Sequence, residues 1–259
     1  MCLILFAWRA HPRYPLVVAA IRDEFHDRPT AAADFWADEP ELLAGTDLQA
    51  GGTWLGITRA GRFAAITNYR EPDSPQPSAA KSRGYLVRDF LTSETPPRPF
   101  AEDLLREAAD YSGFNLLLGA AGELVYASNR AEGVRRIGEG VHGLSNHLLD
   151  TDWPKVLAGR ERLARILGSG EPDRESLLAL LTDRALKPGA WPDRVDHGLV
   201  LEELTRHNFI VSPVYGTRSS TVLTVDRENR VDFTERQFGP DGRAAGTRRF
   251  RFATRLPPG

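Results

Sequence analysis

The first twenty-five residues constrain the fold of this chain more than any other stretch. They read MCLILFAW, a short connector that contains HPRYP, and then LVVAAIRDEF. Two apolar runs of strand length on either side of a Pro-containing turn are typical of a β-hairpin. Arg22 and Asp23 close the second run, so we expect them to return beside the start of the first strand. The sequence therefore predicts an antiparallel sheet that begins at the amino terminus.

Cys2 is the only cysteine of the chain and begins this first strand. A small residue at position 2 normally allows the initiator Met to be removed, so we expect Cys2 to carry a free α-amine beside its thiol. Such a residue is a self-contained nucleophile, because the thiol attacks and the amine, with an unperturbed pKa near ~8, takes the proton. A lone cysteine in a strand is also often a small buried hydrophobe. The residues alone leave both interpretations open.

Composition narrows the class of protein. The chain has 259 residues, of which 41% are hydrophobic and 26% charged, and no linker divides it, so we expect a single soluble domain over residues 1–259. The net charge of −2 argues against a general nucleic-acid binder. No segment is long enough to span a membrane, and MCLILFAW lacks the basic start and the cleavage site of a secretory signal. The sequence therefore predicts a cytoplasmic protein.

Further hairpins are predicted along the chain. TWLGIT pairs with RFAAITNY, NLLLG pairs with ELVYAS, and three strands follow residue 208, whereas residues 26–49 are predicted to form a loop. Four helices are predicted, namely AAKSRGYLVRDFLTS with Ser78 as its cap, FAEDLLREAADY, KVLAGRERLARIL with Asp152 as its cap, and DRESLLALLTDR. About ten strands in sequential hairpins, with the helices grouped between them, indicate an α+β fold with antiparallel sheets rather than βαβ units.

The glycines and histidines do not indicate a cofactor or metal site. Gly51, Gly52 and Gly56 are followed by no predicted helix and no GK[ST] motif, so a nucleotide site is not expected. The six histidines include no pair at the i, i+4 spacing of a helical zinc site. Surface or hydrogen-bonded histidines are the better expectation.

Several longer motifs match a known family when they are taken together. They are MC at the start, VVAAxRDEF, GGTWLGI, NYR, GLSN followed by LDTDWPKV, and YGTRSSTV. This set resembles the NRDE family, which is also called the transport-and-Golgi-organisation protein two family. The resemblance extends from Met1 to about Phe238. The family is named after Asn-Arg-Asp-Glu, and this chain has Ile21-Arg22-Asp23-Glu24 at that position.

The NRDE family is similar to the N-terminal nucleophile hydrolases of the choloylglycine hydrolase and penicillin V acylase group. The resemblance implies a four-layer α-β-β-α sandwich of two antiparallel sheets. It also implies a role for each of five residues. Cys2 would be the nucleophile, Asp23 would hold its amine, Asn68 and Asn146 would form the oxyanion hole, and Arg218 would place a positive charge near the thiol.

Two positions depart from the pattern of the acylases. Those enzymes have an arginine three residues before the aspartate, where this chain has Ala20. Arg22 is adjacent to Asp23, and because neighbours in a strand face opposite ways, Arg22 is predicted to point away from Cys2. Ile21 shares the face of Asp23, so an apolar side chain stands where the family has an amide.

The resemblance implies two functions of different classes. The first is hydrolysis of a small non-peptide amide by acyl transfer, which requires no cofactor. The second is non-catalytic haem binding or haem trafficking on the same fold, because some members of the family are haem-trafficking factors. The expected partner is accordingly a small-molecule amide or haem, without nucleic acid and without a membrane span. A structural or interaction protein ranks last, and the sequence does not indicate an oligomeric state.

Overall fold

A computed structural model describes residues 2–71, 81–182 and 205–255 of the chain. The first of its two antiparallel sheets contains the predicted amino-terminal hairpin. Its six strands are Leu3–Trp8 (β1), Leu16–Phe25 (β2), Gly140–Leu144 (β10), Tyr215–Val225 (β11), Arg230–Phe238 (β12) and Ala244–Ala253 (β13). They are arranged in the order β10-β1-β2-β11-β12-β13, so the amino-terminal hairpin lies near the middle of the sheet.

The second sheet has seven strands that follow one another in sequence order. They are Thr30–Phe35 (β3), Leu42–Asp47 (β4), Leu55–Thr58 (β5), Phe63–Asn68 (β6), Phe114–Ala120 (β7), Glu123–Ser128 (β8) and Val134–Arg136 (β9). Each pairs antiparallel with the next. The predicted antiparallel architecture is confirmed.

Helices cover the outer face of each sheet. They are Gly84–Thr92 (α1), Pro97–Arg106 (α2), Pro154–Gly168 (α3) and Arg174–Leu180 (α4), with a short 3₁₀ helix at Ala108–Asp110. Helices α1 and α2 pack on the second sheet, and α3 and α4 pack on the first. One hydrophobic cluster lies between the two sheets, and one lies between each sheet and its helices. The layers therefore form the predicted four-layer α-β-β-α sandwich.

The amino-terminal hairpin is buried on both of its faces. In β1, Ile4 and Phe6 belong to the core between the sheets, whereas Leu3 and Leu5 belong to the core beneath α3 and α4. This double burial explains why its sequence is a continuous apolar run. Helix α3 approaches β1 closely at Gly159, where an added Cβ would lie 2.6 Å from Leu5 Cδ1.

Residues 26–49 are not the loop that the sequence predicts, because β3 and β4 lie within them. Both strands are short and built largely from small residues, so they lack the alternating large side chains by which a strand is recognised. Ala33 is nevertheless fully buried in the core between the sheets, and its N–H donates to Glu235 Oε1 at 2.8 Å. Glu235 belongs to the first sheet, so the sequence around Ala33 does not reveal this contact.

The predicted helix starts are partly wrong. Helix α1 begins at Gly84, and its predicted cap, Ser78, lies outside the described residues. Asp152 does not cap α3, because Trp153 occupies the N-cap position and Pro154 the first turn. Asp173 caps α4 instead, accepting the N–H groups of the second and third helical residues at 3.0 Å each. In the described part of the chain, no helix has both the length and the apolar character needed to cross a bilayer.

Candidate active site

Cys2 is partly buried just before β1, and hydrogen bonds fix its backbone on both sides. Asn146 Oδ1 accepts the Cys2 N–H at 2.9 Å, and Ser145 Oγ donates to the Cys2 carbonyl at 2.7 Å. The Cys2 nitrogen is a peptide nitrogen because Met1 precedes it. Loss of Met1 would leave an α-amine at the same atom, with Asn146 Oδ1 placed to accept one of its hydrogens.

The Asn146 side chain joins the two sheets at this point. It is 3% exposed, and its Nδ2 donates to the Asn68 carbonyl at the end of β6 at 2.9 Å. The second Nδ2 hydrogen has no acceptor among the described residues. The Asn68 side chain itself is exposed, so Asn68 contributes its carbonyl to the site. Asn146 therefore keeps one free donor beside Cys2.

A buried polar network supports the segment that carries Ser145 and Asn146. Thr67 Oγ1 donates to the Ser145 carbonyl at 2.6 Å. Asn115, which is 0% exposed, donates to Thr67 Oγ1 at 3.1 Å and to the His147 carbonyl at 3.0 Å, and its Oδ1 accepts the Tyr126 hydroxyl at 2.8 Å. Satisfied buried networks of this kind make local structure rigid. Strands β6 and β7 thus fix the position of Ser145 and Asn146, which in turn contact Cys2.

Arg22 lies on the same side of the sheet as Cys2, so the prediction that it points away is wrong. The register pairs Leu3 with Ile21, which places Arg22 across from Cys2. Arg22 is 5% exposed, its Cζ lies 4.4 Å from the centre of the Trp54 ring, and it lines a cavity of about 10 Å³ with Cys2 and Ala20. Ala20 and Arg22 lie on the same face of β2. The penicillin V acylase group has an arginine at the position of Ala20, and here Arg22 places a guanidinium on that same face.

Asp23 faces the opposite side of the first sheet, beneath the helices. It is 6% exposed, and its Oδ1 accepts the Thr217 hydroxyl at 2.8 Å. Burial raises the pKa of the Asp23 carboxyl, while positive charge at the amino terminus and on Lys155 and the hydrogen bond from Thr217 act in the opposite direction. Ile21 shares this face and is 2% exposed in the core beneath α3 and α4, where it serves packing.

Lys155 is a buried cation beside Asp23 and Cys2 that sequence reasoning missed. It lies in the first turn of α3 and is 4% exposed. Burial lowers the pKa of Lys155 to about 8, while the negative charge of Asp23, and any negative charge on Cys2, acts in the opposite direction. A positive charge is also disfavoured at a helix amino terminus. A buried lysine with a lowered pKa beside the candidate nucleophile is a candidate functional residue.

Arg83 is a second cation that the sequence does not single out. Its Nη1 donates to the Gly113 carbonyl at 2.9 Å. Burial lowers the pKa of its guanidinium, and a negative charge on Cys2 acts in the opposite direction, so Arg83 lies within electrostatic reach of the thiol. A negative charge on Cys2 would interact favourably with Arg22, Arg83 and Lys155.

Arg218 lies on β11, which is separated from β1 by β2. It sits at a register shift between Thr217 and Ser219 in β11, and its Nη1 donates to the carbonyls of Phe25 at 2.7 Å and Arg28 at 3.1 Å. It lines a separate cavity of about 220 Å³, of which Trp54 forms one wall. Trp54 also lines the small cavity at Cys2, so the same indole borders both cavities.

A signal for Lys155 was present in the sequence. Lysine occurs only at positions 81, 155 and 187 in a chain that otherwise uses arginine. Lys155 also lies in the motif LDTDWPKV, directly after the helix-starting proline. Ser145, by contrast, carried no signal beyond its place in GLSN, because its role depends on the pairing of β1 with β10.

The buried charge of Lys155 has a measurable consequence for stability. Its folded pKa of about 8 lies below the unfolded value near ~10.4. Between these two pH values the unfolded chain binds more protons, so the free energy of unfolding rises with pH. We expect wild type to gain up to about 3 kcal/mol relative to Lys155→Met between pH 7 and pH 10.5 in urea unfolding.

The exposed Lys81, which pairs with Asp110 at 2.9 Å, provides the matched control. Because the pairing with Asp110 raises the pKa of Lys81, the stability of wild type relative to Lys81→Met should not increase between pH 7 and pH 10.5. A difference between wild type and Lys155→Met that likewise does not increase with pH would show that Lys155 is not held with a lowered pKa.

The described residues include no group of three or more His, Cys, Asp or Glu side chains that could hold a metal ion. His142 and His147 are instead hydrogen-bonded. His142 Nδ1 lies 2.8 Å from Asp150 Oδ2, and His147 Nε2 lies 3.1 Å from the Tyr69 hydroxyl.

Fold and site together define a four-layer α-β-β-α sandwich whose amino-terminal strand presents a cysteine. The model of the family described as Transport and Golgi organisation 2 matches residues 1–240, and the chain belongs to this family. The resemblance seen in the motifs is thereby confirmed.

Relatives from animals match almost the whole chain. The human protein named Transport and Golgi organization protein 2 homolog is 37% identical over 257 residues, covering 91% of this chain and 92% of that protein. The Drosophila melanogaster protein named Transport and Golgi organization protein 2 is 32% identical over 260 residues, covering 91% of each chain. Among solved structures, the chain is similar to the Caenorhabditis elegans N-acylethanolamine-hydrolyzing acid amidase ortholog, with a TM-score of 0.46 and 12% identity over 86% of this chain and 92% of that one.

Proposed function

We propose that this chain hydrolyses a small non-peptide amide by acyl transfer through Cys2. The observation that carries the proposal is the way in which Cys2 is held, with its nitrogen bonded to Asn146 at 2.9 Å and its carbonyl to Ser145 at 2.7 Å. A reacting group must be held in a productive geometry, and these two bonds fix the backbone of Cys2 on both sides.

In the first step the Cys2 sulfur bonds to the amide carbon. The thiol proton passes to the Cys2 α-amine, which the loss of Met1 sets free. The carbonyl oxygen takes up an electron pair and becomes an oxyanion. The unused Nδ2 hydrogen of Asn146 is the donor proposed to stabilise it, and loss of one such donor costs roughly 10²–10³ in kcat in other enzymes.

In the second step the carbon–nitrogen bond breaks and a thioester remains. The leaving amine takes the proton from the α-ammonium group, so the α-amine is again a base. Water then adds to the thioester carbon and gives a proton to the α-amine of Cys2. The carbon–sulfur bond breaks, the sulfur recovers the proton, and the carboxylic acid leaves.

The cations around Cys2 support this chemistry. Arg22 and Lys155 are both at least 95% buried, and each interacts electrostatically with a negative charge on Cys2. Fixed positive charges in a site that excludes water stabilise the negative charge that develops during acyl transfer. Lys155 also lies close to Asp23, and the two charges partly compensate each other in the helix-facing layer.

Two cavities of the described structure lack the features that haem, the ligand of the alternative function, would need. The cavity at Cys2 measures about 10 Å³, room for roughly one water molecule. A larger cavity of about 720 Å³ lies elsewhere between the sheets, but its lining contains no His, Cys, Met or Tyr side chain that could ligate haem iron. Arg9 and Arg227 at its mouth could pair with carboxylates, yet nothing in the lining would take the metal.

A small activated ester tests the proposal. With p-nitrophenyl acetate, we expect a burst of one p-nitrophenol per chain and one acetyl group on the peptide that begins with Cys2. Acetylation confined to lysine side chains, without a burst, would contradict the assignment of Cys2 as nucleophile.

A further inference from the structure

Asp23 lies beside the nitrogen of Cys2 in the first sheet. The register of β1 and β2 pairs Leu3 with Ile21. Antiparallel pairing then continues with Cys2 across from Arg22. Asp23 is the next residue of β2, so it lies on the amino-terminal side of Cys2, which is the side that carries the nitrogen. Asp23 is therefore next to the atom that becomes the α-amine in the proposed enzyme.

Asp23 is a buried carboxyl whose charge depends on its neighbours. It is 6% exposed, and burial raises its pKa. Thr217 donates a hydrogen bond to it at 2.8 Å, and positive charges on Lys155, on Arg22 and at the amino terminus favour its ionised form. Without such compensation a buried carboxyl takes up a proton. Hydrogen bonds to a charged carboxylate are roughly twice as strong as neutral ones, so this charge matters for holding an amine.

Helix α3 brings Lys155 to the same layer. An added Cβ at Gly159 would lie 2.6 Å from Leu5 Cδ1 in β1. An added Cβ at Gly143 in β10 would lie 2.6 Å from Val156 Cγ1. The helix therefore lies directly on both strands. Lys155 precedes Gly159 by one turn on the same side of the helix and is 4% exposed, so its side chain is enclosed between α3 and the sheet.

Lys155 differs in position from the two arginines of the site. Arg22 lies on the face of β2 opposite to Asp23, where it lines the small cavity at the nucleophile. Arg83 precedes α1, the helix that packs on the second sheet. Of these three cations, Lys155 is the one on the helix-facing side of the first sheet, where the Asp23 carboxyl lies.

We propose that Lys155 is a positioning residue that acts through Asp23, because its ammonium group keeps the neighbouring carboxylate charged and thereby able to hold the α-amine of Cys2. This role rests on the proposed acyl transfer. It gives Lys155 no contact with the substrate and no proton in either step of the reaction.

The first test observes the Asp23 carboxyl directly and does not depend on turnover. In protein labelled with ¹³C-aspartate, the Asp23 resonance is the one that Asp23→Asn removes, and its titration is followed by NMR. We expect it to titrate at higher pH in Lys155→Met than in wild type, because the carboxylate loses its counter-charge. Lys81→Met, which changes an exposed lysine paired with Asp110, should leave the titration unchanged. An Asp23 titration that is the same in Lys155→Met and wild type overturns the proposal.

A double-variant cycle tests whether Lys155 acts through Asp23. The rate measured is acetylation of Cys2 by p-nitrophenyl acetate at pH 7, below the Lys155 pKa of about 8. We expect Lys155→Met to lower this rate roughly tenfold and Lys155→Arg, which keeps the charge, to recover most of the loss. When Asp23→Asn is already present, Lys155→Met should lower the rate by less than about twofold.

The melting temperature verifies that each variant folds. A further tenfold loss from Lys155→Met in the Asp23→Asn protein would show that Lys155 acts on Cys2 directly or on the structure as a whole, and would overturn the proposal. Absence of acetylation at Cys2 in wild type would instead contradict the proposed function, and the Asp23 titration would still decide whether Lys155 keeps that carboxylate charged.

Discussion

Cys2→Ala is expected to abolish amide turnover and acylation while it leaves the fold intact. The backbone bonds to Asn146 and Ser145 do not involve the sulfur, and the side chain faces a cavity of only about 10 Å³. Removal of a nucleophile in other acyl-transfer enzymes lowers kcat by about 10⁴ or more. Turnover of a panel of small N-acyl amides, measured with the melting temperature, provides the test.

Cys2→Ser is the companion variant, because it keeps a weaker nucleophile in the same place. We expect it to retain a small residual rate above that of Cys2→Ala. Equal turnover by wild type and Cys2→Ala would exclude Cys2 as the nucleophile, whatever the behaviour of the serine variant.

The second large effect is expected for Asn146→Leu. Leucine removes the acceptor of the Cys2 nitrogen and the donor to the Asn68 carbonyl, and it removes the free Nδ2 hydrogen assigned to the oxyanion. We expect acylation by an amide to fall roughly 10²–10³-fold. Alkylation by iodoacetamide passes through no oxyanion, so its rate should fall less than tenfold. The ratio of the two rates is the quantity to measure.

Asn115→Leu is the matched control for this substitution. Asn115 is likewise buried and hydrogen-bonded to the same segment, but it makes no hydrogen bond to Cys2. Both variants leave buried groups unpaired, at a cost of about 1–3 kcal/mol per group. If Asn115→Leu lowers amide acylation relative to alkylation as much as Asn146→Leu does, the effect arises from loosened structure and the oxyanion role fails.

The fold was predictable where the sequence alternates or runs apolar over whole strands. The hairpin of residues 1–25 and the later pairs about residues 59–61 and 120–122 carry both the strand pattern and the turn residues. Strands β3 and β4 were missed because Ala33 and its neighbours are small, and their burial depends on the first sheet. Local sequence carries no information about such a contact.

The motifs named Cys2 and Asn146, but they did not show how the residues around Cys2 are arranged. The structure joins these two residues directly. The orientation of Arg22 was predicted wrongly. Sequence alternation shows which residues of β2 share a face of the sheet, but it does not show on which of the two faces the Cys2 side chain lies. Lys155 reaches the site only because α3 packs on β1 and β10, a long-range contact that its own sequence does not specify.

The central claim is that Cys2 becomes a nucleophile with its own α-amine as base. The intact mass of the untagged protein, before and after exposure to an acyl donor, tests it most directly. The account predicts a mass lower than the sequence by one methionine residue, which then rises by a single acyl group. A protein that fully retains Met1 and still turns over an amide would contradict the account, because Cys2 would then have no amine to accept the proton.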